Sequence, residues 1–125
     1  MNREILFKAK RLDNGEWVEG YYRADPDLNN HFICGWNYYL SENGLERELF
    51  EYEINSGTLC QYTGLTDKNG QKIWENDMLG HIFNRVEFVD GAYCVNGDRP
   101  LCFIAKECKV IGNIFDDPEL LEVEG

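Results

Sequence analysis

The side chains around Asp67 are the ones in this sequence whose types and spacing come closest to a metal site. The stretch TGLTDKNGQKIWENDM places Asp67, Asn69 and Gln71 two residues apart, like the first oxygen ligands of an EF-hand calcium loop. That loop also requires glycine at its sixth position and glutamate at its twelfth. Lys72 and Met78 occupy those positions here. The sequence therefore predicts a tight turn at Asp67, with no metal and no cofactor.

A thiol nucleophile is a second chemistry that the residue types suggest. His31 precedes Cys34 by three residues, and His81 is the other imidazole. Residues three apart in a strand point to opposite faces, so His31 would not activate Cys34. The cysteines are odd in number and form no C-x-x-C pair, which argues against a zinc site or redox centre. We expect reduced cysteines acting as small hydrophobic residues at Cys34, Cys60, Cys94, Cys102 and Cys108.

Two pairs of acids stand two residues apart, Asp25 with Asp27 and Glu75 with Asp77. Carboxylates on one face of a strand shift each other's pKa and can support acid–base catalysis. Turn chemistry explains both pairs better, because Asp25 and Asp27 flank Pro26 and the Glu75 pair is placed to close a hairpin. We therefore expect no catalytic residue. An enzyme with an acidic or a Cys–His site is the alternative.

Dipeptides typical of tight turns recur along the chain. Asn-Gly and Asp-Gly both tolerate the positive φ that a type I′ hairpin turn requires at its two central residues. Because most of these dipeptides are flanked by β-branched and aromatic runs, they predict an antiparallel all-β protein with minor helix. The first of them separates ILFKAKRL from EWVEGYYR and predicts the first hairpin. The dipeptides are Asn14-Gly15, Asn43-Gly44, Asn69-Gly70, Asp90-Gly91 and Asn96-Gly97.

The sequence of the second half of the chain predicts a small barrel or sandwich. Short strand-like runs follow one another at close spacing, namely TLCQYTG, QKIW, DMLGHIF, RVEFV, AYCV, LCFIA and KVIGNIF. Near the end, Asp117 is placed as a helix N-cap and Pro118 at the first helical position, which predicts one short helical turn.

The segment from 41 to 56, SENGLERELFEYEINS, fits more than one structure. A loop and an edge strand are both compatible with its sequence. A short amphipathic helix with Leu45, Leu49 and Tyr52 on one side is the third interpretation.

The net charge of the chain indicates which kinds of partner it can bind. The chain has 23 acids against 12 bases, a formal net charge of −11. Because nucleic-acid affinity comes mainly from Lys and Arg that release counterions, we expect no direct binding of DNA or RNA. Solvated faces explain the acids, and an acidic nucleic-acid mimic that inhibits a host DNA- or RNA-binding protein is the alternative. The excess lies in two clusters: Glu42, Glu46, Glu48, Glu51 and Glu53, and Asp116, Asp117, Glu119, Glu122 and Glu124.

Length and composition predict one folded domain. The chain has 125 residues, 43% of them hydrophobic, which is ample for one core. Within residues 1–125 we expect two sub-lobes, an aromatic-rich hairpin region at 1–56 and the barrel at 57–125. The start, MNREILFKAK, is charged, and no apolar run approaches the roughly 20 residues of a membrane span. We expect a cytoplasmic protein without a signal peptide or membrane segment.

Aromatic side chains are the candidate binding residues. Adjacent tyrosines must divide between the two faces of a strand, so some rings should point outward. Outward rings predict a protein interface, and a second packed layer is the alternative. The candidates are Tyr21, Tyr22, Trp36, Tyr38, Tyr39 and Trp74.

Three blocks of the sequence resemble the YopX family, whose members occur mostly in phages and prophages of low-GC Gram-positive bacteria. The blocks are REILFKAKRLDNGEWVEGYY, QYTGLTDKNGQKIWENDML and VIGNIFDDPELLE, and they span nearly the whole chain. The middle block is the most specific. It departs from the family pattern at Asn76, where glycine is usual, and asparagine also reaches positive φ.

The resemblance implies a β-rich fold with an SH3-like C-terminal part, and no established activity. The motif residues are interpreted as the scaffold of a turn: Thr63, Gly64, Asp67, Asn69, Gly70, Trp74, Glu75 and Asp77. Together with the surplus of aromatic residues, this favours a phage- or prophage-encoded, non-enzymatic interaction or regulatory module. Its expected partner is a host or phage protein, and self-association into a homo-oligomer is a further expectation.

Overall fold

The computed structural model describes residues 5–80, 84–95 and 99–122. The strands are β1 (Phe7–Arg11), β2 (Trp17–Asp25), β3 (Asn30–Ser41), β4 (Gly44–Thr66), β5 (Lys72–Trp74), β6 (Asp77–Leu79), β7 (Asn84–Val89), β8 (Ala92–Val95), β9 (Arg99–Pro100) and β10 (Val110–Asn113). The described helices are α1 (Leu101–Ile104) and two 3₁₀ segments, Ala105–Glu107 and Pro118–Glu122. The predicted all-β class with minor helix, including the short turn after Asp117, is confirmed.

Two compact units divide the chain between Leu59 and Cys60, inside β4. We call residues 5–59 the N-terminal unit and residues 60–122 the C-terminal unit. The expected single domain with sub-lobes at 1–56 and 57–125 stays a prediction. No helix in the described ranges combines the length and the hydrophobicity that a membrane span requires.

The N-terminal unit is an antiparallel sheet in the order β1-β2-β3-β4, partly closed because β1 also pairs with β4. The predicted first hairpin is confirmed, with Phe7 opposite Gly20 and Lys10 opposite Trp17. Its core consists of Ala9, Ile33 and Ile54, with Phe7, Val18, Tyr22, Phe50 and Leu59 packed around them. Barrel-like closure therefore occurs in the N-terminal sheet, and the SH3-like C-terminal part stays a prediction.

Most of the ambiguous segment 41–56 belongs to β4. Ser41 pairs with Gly44 across a tight turn, and pairing continues from there to Phe32 opposite Glu53. The helical interpretation is wrong, since alternation along a strand places Tyr52 on the face opposite Leu45 and Leu49. The pairing with β3 fixes a segment whose own sequence fits several structures.

The C-terminal unit contains the end of β4, which pairs with β5, and a five-stranded antiparallel sheet in the order β10-β6-β7-β8-β9. One predicted strand is wrong, because LCFIA forms α1 and enters the 3₁₀ segment. Leu101, Ala105 and Cys108 follow at helical spacing and are buried, whereas Phe103 is exposed. The unit's core consists of Ile73, Leu79, Val86, Val95, Leu101, Ala105 and Cys108.

The turns lie where the dipeptides predict, but their type differs. Only Asp90-Gly91 has positive φ at both residues (51° and 86°), as a two-residue type I′ turn requires. At Asn69-Gly70 the glycine alone is positive (80°), which is the type I turn followed by a left-handed residue that a three-residue loop uses. Asn14-Gly15 and Asn43-Gly44 likewise have positive φ only at glycine. Asn96-Gly97 lies outside the described residues.

Candidate functional site

Asp67 is a buried carboxylate at the head of the motif turn, with 1% of its surface exposed. Its Oδ1 accepts the backbone N–H groups of Asn69 at 2.8 Å and Gln71 at 2.9 Å. Its Oδ2 accepts the N–H of Val110, the first residue of β10, at 2.9 Å. The carboxylate therefore closes its own turn and fastens the turn to a strand that is distant in sequence.

Burial acts to raise the pKa of Asp67, but the N–H groups of Val110, Gln71 and Asn69 and the charge of Lys106 act against it, and the net pKa lies below its ordinary value of 3.8. Three N–H donors already use the carboxylate oxygens and the side chain is buried, so little of this carboxylate is accessible to a calcium ion. Within the described part of the chain, no group of three His, Cys, Asp or Glu side chains is arranged to hold a metal.

The lowered pKa of Asp67 predicts a specific pH dependence. A group whose pKa is depressed by folding stabilises the protein above its unfolded pKa and loses that contribution as pH falls through its folded pKa. We expect the free energy of unfolding to fall below about pH 3.8, and to fall less steeply in Asp67→Asn. Urea titrations between about pH 2.5 and 6 measure this, and equal slopes for both proteins would exclude Asp67 as the cause.

Two further motif residues hold backbone in the same way. The Thr63 hydroxyl donates to the carbonyl of Ile73 at 2.7 Å, and Asp77 Oδ2 accepts the N–H of Trp74 at 2.8 Å. The side chains of Thr63 and Asp77 are both buried. Gly64, which follows Thr63, has a positive φ of 86°. The side chains of Thr63, Asp67 and Asp77 are therefore engaged in hydrogen bonds to backbone.

The Glu75-Asn76 turn does not close a hairpin as the sequence suggested, because β5 pairs with β4 and β6 pairs with β7 and β10. The turn instead passes the chain from one sheet to another. Asn76 has a φ of 73°, and its Oδ1 accepts two N–H groups of Arg85 at 2.9 and 2.7 Å. Asparagine thus adopts the positive φ of this turn and adds a clamp on β7.

Substitutions at Asn76 separate these two roles. Asn76→Gly removes the clamp and keeps an easy positive φ, so we expect a loss of about 1 kcal/mol. Asn76→Ala removes the clamp and adds left-handed strain, so we expect a loss of about 2–3 kcal/mol. Thermal and urea unfolding measure the order. If alanine were tolerated as well as glycine, strain at this position would play no part.

The Cys–His pair does not assemble. His31 Nδ1 lies 2.6 Å from the hydroxyl of Tyr22, whose ring stacks on the imidazole with centroids 5.9 Å apart. The thiol of Cys34 donates to the carbonyl of Tyr21 at 3.6 Å. Strand alternation places His31 and Cys34 on opposite faces, as predicted. His81 lies outside the described residues.

The candidate binding aromatics divide into two groups. Trp74 is 5% exposed and packs against Tyr62, and Tyr22 is half-buried against the N-terminal core. These two rings support the fold. Tyr21, Trp36 and Tyr38 are 61, 42 and 62% exposed. Since an interface needs accessible rings, only the second group, together with Tyr39 at 46%, remains available for binding.

Three of these exposed rings, Trp36, Tyr38 and Tyr39, belong to a projecting hairpin that we call the arm, residues 35–50 of β3 and β4. Pairing between β2 and β3 extends only from Asn30 to Cys34, whereas β3 and β4 pair with each other to the tip. On the arm, Trp36 lies opposite Leu49, and Leu40 lies opposite Leu45. These four residues share one side of the ribbon with Tyr38. Tyr21, on β2 opposite Cys34, lies on the same side of the sheet.

We call this side the outer face, defined by Tyr21, Trp36, Tyr38, Leu40, Leu45 and Leu49. The exposed fractions of the leucines are 83, 69 and 59%, in chain order. The guanidinium of Arg47 lies 4.0 Å from the Trp36 ring centroid. The three leucines were missed as binding candidates, although the alternation in LERELFE signals a strand with leucines on one side.

Acidic side chains lie behind this apolar face. Glu46 and Glu48 are on the reverse side of the arm, where Glu48 is exposed and Glu46 is half-buried. Glu51 forms an ion pair with Arg23 at 2.9 Å at the base of the arm. The first acidic cluster thus belongs to the arm and its base. The second belongs to the C-terminal unit, with Glu124 outside the described residues.

The fold and these sites define an all-β protein with a hydrogen-bonded turn in one unit and an exposed hairpin in the other. A family model described as YopX protein matches residues 6–122, and the chain belongs to the YopX family. A crystal structure of protein EF1440 from Enterococcus faecalis is similar, with 25% identity and a TM-score of 0.64 over 96% of this chain and 99% of that one. A comparison with curated proteins finds no match.

Proposed function

We propose that this protein is a non-enzymatic interaction module that binds a partner protein through the outer face of its arm. The observation that supports this is the concentration of large apolar side chains, each 42 to 83% exposed, on one side of a two-stranded ribbon. Contiguous exposed apolar surface on a folded protein usually serves an interface. A two-stranded ribbon is also marginally stable by itself, so a partner that covers it would stabilise it.

The charges around the arm favour a particular kind of partner. Glu42 lies at the tip of the arm, Glu46 and Glu48 lie on its reverse side, and Arg47 is the one base within the arm. A second copy of the chain would bring another protein of net charge −11 against this one. We propose a partner with an apolar groove bordered by Lys and Arg. A homo-oligomer is the competing outcome.

The experiment is site-specific photo-cross-linking in a host-cell lysate. A photoreactive phenylalanine replaces Tyr38 on the arm, or Leu28, 68% exposed in the β2–β3 loop, as the control. The proposal predicts a cross-linked protein with a basic surface from position 38 and not from position 28. Cross-links only to a second copy, or the same products from both positions, would contradict it.

Three finer expectations belong to this proposal. The gene is expected to lie in a phage or prophage, the protein to act in the host cytoplasm, and its partner to be a host or phage protein. The acidic-mimic alternative requires both acidic clusters to act on one basic partner. Neutralising Glu46 and Glu48 separates the two ideas, because a mimic would lose most binding whereas an apolar interface would keep most of it.

A further inference from the structure

A cleft in the C-terminal unit is the second candidate site, and it is unlike the rest of the chain in charge. Its volume is about 430 Å³, which is within the range of small-ligand sites. Three cations and one carboxylate line it, although acids outnumber bases almost two to one in the whole chain. The lining residues are Lys68, Gly80, Arg99, Ile104, Glu107, Cys108, Lys109 and Ile111.

The cations of this cleft outnumber the acids among the residues that the structure describes. Within that part of the chain, no carboxylate forms an ion pair with Lys68, Arg99 or Lys109. Glu107 is the single acid among the described lining residues, which together carry a formal charge of +2. Cations gathered in a concave site attract and concentrate anions, and the remaining negative charge of the protein is screened beyond about 10 Å.

The walls of the cleft are fixed by backbone hydrogen bonds. The N–H of Lys68 donates to the carbonyl of Cys108 at 2.9 Å, and the N–H of Gly80 donates to that of Lys109 at 2.7 Å. These bonds tie the motif turn and the end of β6 to the chain just before β10. The site is therefore preformed, which reduces the entropic cost of binding.

The rest of the lining is apolar. Ile104 and Ile111 contribute aliphatic side chains, and Cys108 is 5% exposed. Burial raises the pKa of the Cys108 thiol, Glu107 raises it further, and Arg99 and Lys68 act in the opposite direction. The thiol is thus a neutral part of the wall, which suits the uncharged portion of a ligand.

We propose that this cleft binds a small organic phosphate, a phosphate monoester attached to an apolar or planar body such as that of a nucleoside monophosphate. A phosphate monoester carries about −1.5 to −2 charges near neutral pH, which matches the +2 of the lining. Lys68, Arg99 and Lys109 would bind the phosphate. Ile104 and Ile111 would cover the uncharged body.

Calorimetric titration of the whole protein at about 0.1 M salt tests this, with AMP, adenosine and inorganic phosphate as probes. AMP is expected to bind saturably. Adenosine, which lacks the phosphate, and inorganic phosphate, which lacks the nucleoside, are expected to bind at least about tenfold more weakly. Arg99 and Lys109 are exposed, so Arg99→Gln combined with Lys109→Gln should fold normally. This double variant is expected to raise the Kd for AMP at least about tenfold.

Lys72→Gln is the matched control, since Lys72 lies in the same unit outside the cleft. It is expected to leave the Kd for AMP within about twofold. No saturable binding of AMP, or equal weakening by Lys72→Gln and the double variant, would overturn the proposal, and so would inorganic phosphate binding as tightly as AMP. The arm plays no part in this titration, so its result is independent of the proposed partner.

Discussion

Replacing Asp67 with asparagine is expected to destabilise the protein by about 3–5 kcal/mol, the largest effect of any single conservative substitution in the motif turn. The carboxylate accepts N–H groups from Asn69, Gln71 and Val110. An asparagine amide offers one oxygen in place of two. Its NH₂ group would face at least one buried backbone N–H and could not accept a hydrogen bond from it. Losing a charge-assisted bond and leaving a buried donor unpaired each cost about 1–3 kcal/mol, against a typical total stability of about 5–15 kcal/mol.

Urea unfolding followed by tryptophan fluorescence measures this change, and buried Trp74 reports on the C-terminal unit. Glu75→Gln is the matched control, because Glu75 is partly exposed and its side chain accepts the N–H of Gln61 at 3.4 Å, a bond that an amide oxygen accepts equally well. We expect the control to change stability by no more than about 0.5 kcal/mol. A similar small effect of Asp67→Asn would show that the turn does not depend on its carboxylate.

Removing the apolar character of the arm is expected to have the largest effect on binding. The combined variant Tyr38→Ser, Leu40→Ser and Leu45→Ser changes three side chains of the outer face that are 62, 83 and 69% exposed. Anchors at the centre of an interface contribute about 2 kcal/mol or more each. Affinity for the cross-linked partner should therefore fall at least about a hundredfold.

The control combines Leu28→Ser and Phe103→Ser, which are exposed apolar residues outside the arm at 68 and 78%. Affinity measured with the purified partner should stay within about twofold for the control. Raising salt should slow association with the unmodified protein, because the proposed partner is basic and the arm is acidic. Full affinity of the arm variant would remove the outer face from the interface.

The sequence predicts the turns and strands of this protein well because local chemistry decides them. Asp90-Gly91 and Asn69-Gly70 both form turns, because glycine reaches positive φ without strain. The turn type was less predictable. Among the four dipeptides in the described ranges, only Asp90 reaches positive φ ahead of its glycine, and the flanking pairs decide how many residues the loop contains.

Long-range features were beyond sequence reasoning. The bond from Val110 to Asp67 joins residues 43 apart, and nothing local to either residue indicates it. LCFIA is too short for its periodicity to separate strand from helix, and burial of Leu101 and Ala105 decides for helix. Residues 44–50 of the arm were ambiguous for the same reason, because only their pairing with β3 fixes them as strand.

The same limit applies to the two candidate sites. The surplus of aromatic residues drew attention to Trp36 and Tyr38, but only the register of β3 and β4 shows that leucines lie beside them on the same face. The cations Lys68, Arg99 and Lys109 are scattered in sequence and share a cleft only in the folded unit.

The central claim is that the acids of the motif turn hold backbone and perform no chemistry, and an NMR pH titration tests it most directly. The amide protons of Asn69, Gln71 and Val110 should shift together with the Asp67 carboxyl carbon, at one midpoint below 3.8, and added calcium should leave them unchanged. A midpoint above 3.8, independent shifts of the three amides, or a saturable response to calcium would contradict the claim.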